Sequence, residues 1–158
     1  MKKDQLFFAI RLSLFIIILA ILKPDLSDFR ITNNLQNASY FMQNNLPERA
    51  ETDLRAVIGM EPWQEIPWSQ LAASYLNQDN SLKTISILEP LSRQSILNAS
   101  DWLTLARAYK QYDRPGQMES ALLSLISLGE PGVETVTAIK MLVILYRSQN
   151  RFEEAYQF

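Results

Sequence analysis

The chain has 158 residues, no cysteine, no histidine and a formal net charge of −2. Without cysteine there are no disulfides, thiolate nucleophiles or sulfur metal ligands. Without histidine the commonest general base and metal ligand near neutral pH is missing. From residue 31 onward ten Lys/Arg stand against fourteen Asp/Glu, a balance of −4, which disfavours the basic surface that nucleic-acid binding requires.

Residues 1–30 differ from the rest. Lys2 and Lys3 precede an apolar stretch, Leu6 to Leu22, interrupted only by polar Arg11 and Ser13 and ended by Lys23-Pro24-Asp25. Apolar side chains cover the whole helical circumference, unlike the single stripe of a core helix. Seventeen residues of helix span about 25 Å, just short of the roughly 30 Å hydrocarbon core of a bilayer. This predicts a transmembrane signal-anchor over residues 6–22. Lys2, Lys3 and Arg11 would hold the N-terminus in the cytoplasm and leave the remainder extracytoplasmic. A cleaved signal peptide, which would export the chain, and a buried core helix are the other readings. The first wants a small-x-small cleavage pattern that Leu22 to Leu26 does not offer, and the second sits poorly with the basic start.

Beyond residue 30 the sequence is rich in helix formers and has only four glycines in all. Trp68-x-x-Leu71-Ala72-x-x-Tyr75 recurs as Trp102-x-x-Leu105-Ala106-x-x-Tyr109, each member shifted by 34 residues. The spacing i, i+3, i+4, i+7 is one helix face, and such a period is the mark of stacked helical units. Projected backward, the register meets Ala38 and Phe41, with Ala50 and Leu54 on a second helix and Pro62 closing the unit. Projected forward, it meets Leu142, Val143 and Tyr146, then Phe152 and Ala155.

This pattern resembles the tetratricopeptide repeat family, whose units pair a Trp-x-x-Leu-Gly-x-x-Tyr helix with an Ala-x-x-x-Phe helix and a closing proline. The resemblance covers residues 31 to 158. It implies an all-α fold, an α-solenoid of about four helix pairs at 31–64, 65–98, 99–135 and 136–158. The last unit is incomplete, and a transmembrane helix in residues 1–30 precedes them all. Leu88 takes the Phe position of the second unit. In the third, Ala121 and Leu125 fall three residues late, an insertion assigned to the turn Asp113-Arg114-Pro115-Gly116. Pro90 predicts a kink or early stop near Glu89, and Thr84 in an alanine position predicts looser packing. Tyr156 and Phe158 give the last unit an apolar end where a solenoid needs a polar cap, which predicts further chain after Phe158.

The recurring Trp, Leu, Ala and Tyr are core residues, so specificity must lie between them. In the resembled family the first helices line a concave groove. The corresponding positions are Thr32, Leu35, Ser39 and Met42, then Ser69, Ala73, Leu76 and Asn77. The later units contribute Leu103, Arg107, Lys110 and Gln111, then Thr137, Lys140, Ile144 and Arg147. The partner-binding expectation rests on Ser69, Asn77, Arg107, Lys110, Gln111, Lys140 and Arg147. Four of them are cations in a net-negative domain, a set suited to an acidic peptide or protein partner. Ordinary solvated surface charge is the competing explanation. No catalytic residue, metal site, cofactor, nucleic acid or small-molecule substrate is assigned. The Glu153-Glu154 pair reads as a solvated face, and no phosphate-cradling glycine loop exists. The function expected is a membrane-tethered interaction scaffold, not an enzyme. The alternatives are an accessory module of a larger envelope enzyme, and repeats that self-associate.

Overall fold

The computed structural model describes residues 26–44, 46–94 and 97–158. Among them are eight α-helices and no strand: α1 Leu26–Gln43, α2 Pro47–Met60, α3 Glu65–Asn77, α4 Ser81–Ser92, α5 Ala99–Gln111, α6 Pro115–Ser127, α7 Val133–Ser148 and α8 Phe152–Ala155. Each helix packs on the next in sequence, so the elements form successive antiparallel pairs, α1/α2 through α7/α8. In addition α3 packs on α5 and α5 on α7. The expected segment at residues 6–22 lies outside the described residues, and among those described no helix is long and apolar enough to cross a membrane.

The turn inside each pair repeats one piece of backbone chemistry. The backbone N–H of Leu46, Asn80, Arg114 and Arg151 donates to the carbonyl of Phe41, Tyr75, Tyr109 and Tyr146 respectively, at 2.8–2.9 Å. Each bond closes a helix end by satisfying a carbonyl that has run out of helical partners. The residue before the donor is left-handed in three of the turns: Asp79 at φ 56°, Asp113 at φ 52° and Asn150 at φ 60°. Aspartate and asparagine tolerate that region better than other non-glycine residues. Pro47 and Pro115 then open α2 and α6 at a position where a missing N–H costs nothing.

These turns correct the register of the third unit. The aromatic-to-donor interval is five residues in every turn, so the turn at Asp113–Gly116 holds no insertion. Counting from the aromatic, Met118 and not Ala121 matches Ala50 and Thr84, and Leu122 and not Leu125 matches Leu54 and Leu88. Met118 is 5% exposed and Leu54, Leu88 and Leu122 are fully buried. The additional residues fall after α6, in the connection around Gly129, which takes φ 69°. Ala121 and Leu125 are buried as well, because α6 is covered from two sides.

Ala38, Ala72 and Ala106 are fully inaccessible and allow neighbouring helices to approach closely. Two apolar clusters result. Ala38, Ala50, Leu54, Leu71 and Tyr75 unite α1–α3, while Ala72, Leu88, Leu105, Leu122 and Leu142 belong to a larger one spanning α3–α7, with Ile87 touching both. Burying each leucine contributes about 1.5–3 kcal/mol before ordering costs. The early stop expected near Glu89 and the looser packing expected at Thr84 are not what is found. Helix α4 runs through Pro90 to Ser92, because a proline so near the end forfeits one hydrogen bond in a helix with two residues left. Thr84 does not loosen its site. It is fully buried, and its hydroxyl donates to the Ala72 carbonyl at 3.0 Å, tying α4 to α3.

Candidate partner-binding surface

Helices α3, α5 and α7 carry the side chains singled out for partner binding and pack in succession, α3 on α5 and α5 on α7; Arg147 lies at a separate cleft with Val143, Phe152, Ala155 and Tyr156. Arg107 and Lys110 on α5 and Lys140 and Arg147 on α7 are all exposed. None of the four side chains makes a hydrogen bond, ion pair or ring contact among the described residues. Several other described cations are engaged, Arg55 with Glu51, Arg93 with Glu89, Arg151 with Glu119 and Glu154, whereas Arg30 on α1 is exposed without such a contact. Lys83 and Arg114 lie over the rings of Tyr75 and Tyr112. Lys110 and Arg147 occupy the last turns of α5 and α7, where they also complement the helix dipole; Arg107 and Lys140 have no such role.

A cleft of about 340 Å³ lies between the α5–α6 turn and α7. Lys110 and Arg114 stand at it with Met118, Met141, Ile144 and Leu145. Ile144 is 66% exposed. Cations bordering methionine and isoleucine can hold an acidic segment that also carries an apolar side chain.

The remaining expected positions divide. Asn77 is exposed. Ser69 is turned to its neighbour: its hydroxyl donates to Asp101 Oδ2 at 2.9 Å, linking α3 to α5. Gln111 is exposed yet engaged, its Oε1 accepting from Ser81 Oγ at 2.6 Å and its Nε2 donating to Asp79 at 3.3 Å. Leu76 and Leu103 are buried, at 8% and 7%, and cannot present a surface to a partner.

Sequence reasoning passed over Asp101 and its surroundings. Asp101 is only 3% exposed. Asn98 begins α5 by accepting the Asp101 backbone N–H at 3.0 Å, and the Asp101 carboxyl takes the Asn98 backbone N–H in return. Burial pushes the Asp101 carboxyl above its ordinary value, the Ser69 and Asn98 bonds pull it back, and the charge of Glu65 adds to the rise. Asp101, Glu65, Ser69 and Gln70 share a cleft of about 330 Å³ with Met42 and Ala73. Gln70 Oε1 is buried with no hydrogen-bond partner among the described residues. The signal was present in the Asn98-x-x-Asp101 capping pattern, which reads as a helix start and gives no hint that the carboxyl faces α3.

The recurring tyrosines link successive pairs. Tyr75 on α3 donates to Glu51 on α2 at 2.5 Å, and Tyr146 on α7 donates to Glu119 on α6 at 3.0 Å. Glu51 and Glu119 hold the same position, ten residues after the aromatic of their own unit. Ile85 holds it in α4, and Tyr109 correspondingly has no such bond. Burial raises the Glu51 carboxyl, but the bonds from Tyr75 and Arg55 outweigh it and leave its pKa lowered. The Arg151 guanidinium, in two contacts at 2.7 and 2.8 Å, lowers that of Glu119.

No protein-family model matches this chain, and no curated protein matches it.

Proposed function

We propose that the chain is a tetratricopeptide-like α-solenoid of about four helix pairs that holds a protein or peptide partner along its first helices, tethered to a membrane by residues 6–22. The partner is acidic along part of its length. One observation carries this reading: Arg107, Lys110, Lys140 and Arg147 form an exposed set without bonded partners in a net-negative chain. Surface charges left free exert a field that attracts opposite charge and raises association rates. Tethering would raise the effective concentration toward partners at the same membrane.

The test is binding of a fluorescein-labelled peptide carrying consecutive glutamates, followed by anisotropy with the full chain. The double variant Arg107→Glu, Lys140→Glu should weaken binding by at least about tenfold with unchanged helical circular dichroism, and added salt should weaken the wild type. Equal affinity of wild type and double variant would remove the basis for this surface.

A further inference from the structure

The recurring tyrosine has a different fate in the third unit. Tyr75 and Tyr146 donate to Glu51 and Glu119, but Ile85 stands in the matching position opposite Tyr109. Tyr109 is 9% exposed, and its hydroxyl makes no hydrogen bond among the described residues. The side chain lines a cleft of about 480 Å³ formed by α4, α5 and α6, apart from the cations of α5 and α7. Trp102 lines it too. Its indole N–H is also unbonded among the described residues, whereas that of Trp68 donates to the Pro62 carbonyl at 2.9 Å. Most of the remaining polar wall is committed. Ser92, Ser120 and Ser124 donate to carbonyls of their own helices, and Arg93 pairs with Glu89 at 2.8 Å. The cleft therefore holds two aromatic donors without acceptors, and its charges cancel.

We infer that this cleft binds a proline-rich segment in the polyproline II conformation, two of whose carbonyls accept from Tyr109 and Trp102. The site is separate from the cationic surface and does not rest on that reading. A polyproline II chain has no internal hydrogen bonds, so its carbonyls are available, and proline brings no N–H that needs an acceptor. A helical ligand has already spent its carbonyls, and walls made of helices offer no sheet edge to an added strand. Proline rings suit aromatic-lined grooves, and the buried Leu105 and Ala121 complete an apolar floor. The bond from Trp68 to the Pro62 carbonyl is the same pairing within the chain. Burial, and after it the charge of Glu89, raises the Tyr109 pKa against the opposing Arg93, which keeps the phenol a donor at neutral pH.

The spacing of the donors agrees. Trp102 and Tyr109 are seven residues apart on α5, or about 10 Å of helix rise. One turn of polyproline II advances about 9 Å and returns to the same face. Carbonyls at i and i+3 of such a segment therefore meet both donors together. An acidic segment gains little, because Glu89 and Arg93 already neutralise each other. A saccharide shares the neutral charge but brings a hydroxyl donor with nearly every acceptor, and the deficit here is in acceptors.

The experiment follows the anisotropy of fluorescein-labelled decaproline with the full chain. A glycine–serine peptide of equal length is the control, and maltoheptaose is the competitor. Decaproline should bind at least about tenfold more tightly than the control. Tyr109→Phe keeps the ring and removes the donor, and should weaken decaproline about five- to tenfold with unchanged helical circular dichroism. Trp102→Phe should act in the same direction, and it decides the matter if Tyr109→Phe loses helicity. The double variant Arg107→Glu, Lys140→Glu should bind decaproline as the wild type does, so this site and the cationic surface can fail separately. Decaproline binding no tighter than the control, or equal affinity of wild type and Tyr109→Phe, would overturn this inference. Displacement of decaproline by maltoheptaose would overturn it in favour of a saccharide site.

Discussion

Thr84 fills a position that Ala50 and Met118 hold in neighbouring units, and it does so with a hydroxyl inside an apolar layer. The group is tolerated because it donates to the Ala72 carbonyl at 3.0 Å and to the Asn80 carbonyl at 3.3 Å. Ala72 keeps its own partner within α3, so its oxygen would not be orphaned if the hydroxyl were removed. Thr84→Val therefore tests the net value of one buried hydrogen bond at nearly constant volume. A loss of about 1 kcal/mol is expected. That corresponds to a fall of about 2–4 °C in the thermal midpoint for a chain of this length, measurable by circular dichroism. An unchanged or higher midpoint would show that the hydroxyl contributes nothing to stability. The sequence made this threonine conspicuous but could not reveal its acceptor, which lies twelve residues earlier on another helix. Ser69 and Gln111 misled for the same reason: Asp101 and Asp79, which they bond, are each 32 residues away.

At the level of elements, the short α8 is held to α6 by the hydrogen bonds from Arg151, at its N-terminus, to Glu119, the carboxylate to which Tyr146 of α7 also donates. The Glu119 pKa lies below its ordinary value of 4.5 in the folded chain. Its contribution is therefore complete above the unfolded value and lost as pH falls through the lower folded one. Glu119→Gln should lower the thermal midpoint by a few degrees at pH 7, and the difference from wild type should shrink as the pH falls below the ordinary carboxyl value and through the lowered folded one, where the wild-type carboxyl becomes protonated. A gap that persisted undiminished in acid would mean that packing, and not charge, holds α8. The recurrence of Trp, Leu, Ala and Tyr made the first helices and their buried faces legible, because a 34-residue period survives wherever the core is repeated. The second helix of the third unit was not legible in register. Met118 and Leu122 have the same four-residue spacing as Ala121 and Leu125, and all four are buried. Only the backbone bond from Arg114 to Tyr109 distinguishes the two alignments. The cleft around Asp101 escaped notice because its residues are gathered from α1, α3 and α5, and no local pattern announces such a meeting.

For the whole molecule, a tether must come from residues 6–22 if the chain holds itself in a bilayer by a helix, since none of the described helices is apolar and long enough to do so. Seventeen residues reach about 25 Å, and a short span of this kind is accommodated by local thinning of the bilayer or by snorkelling of Arg11 and Lys23 toward the headgroups. The full chain should then remain in the membrane pellet after alkaline carbonate extraction. A variant lacking residues 1–25 should appear in the supernatant, retain helical circular dichroism and bind the glutamate-carrying peptide with wild-type affinity. The described pairs carry their own buried clusters and inter-pair bonds, so the proposed binding is expected to survive removal of the proposed anchor. If residues 6–22 span the bilayer with Lys2, Lys3 and Arg11 on the cytoplasmic side, protease added from the extracytoplasmic face should reach α1 to α8. Release of the full chain by carbonate would end the tether proposal without touching the binding surface. Retention of the full chain together with loss of peptide binding in the truncated one would show that the two parts act as a single folded unit.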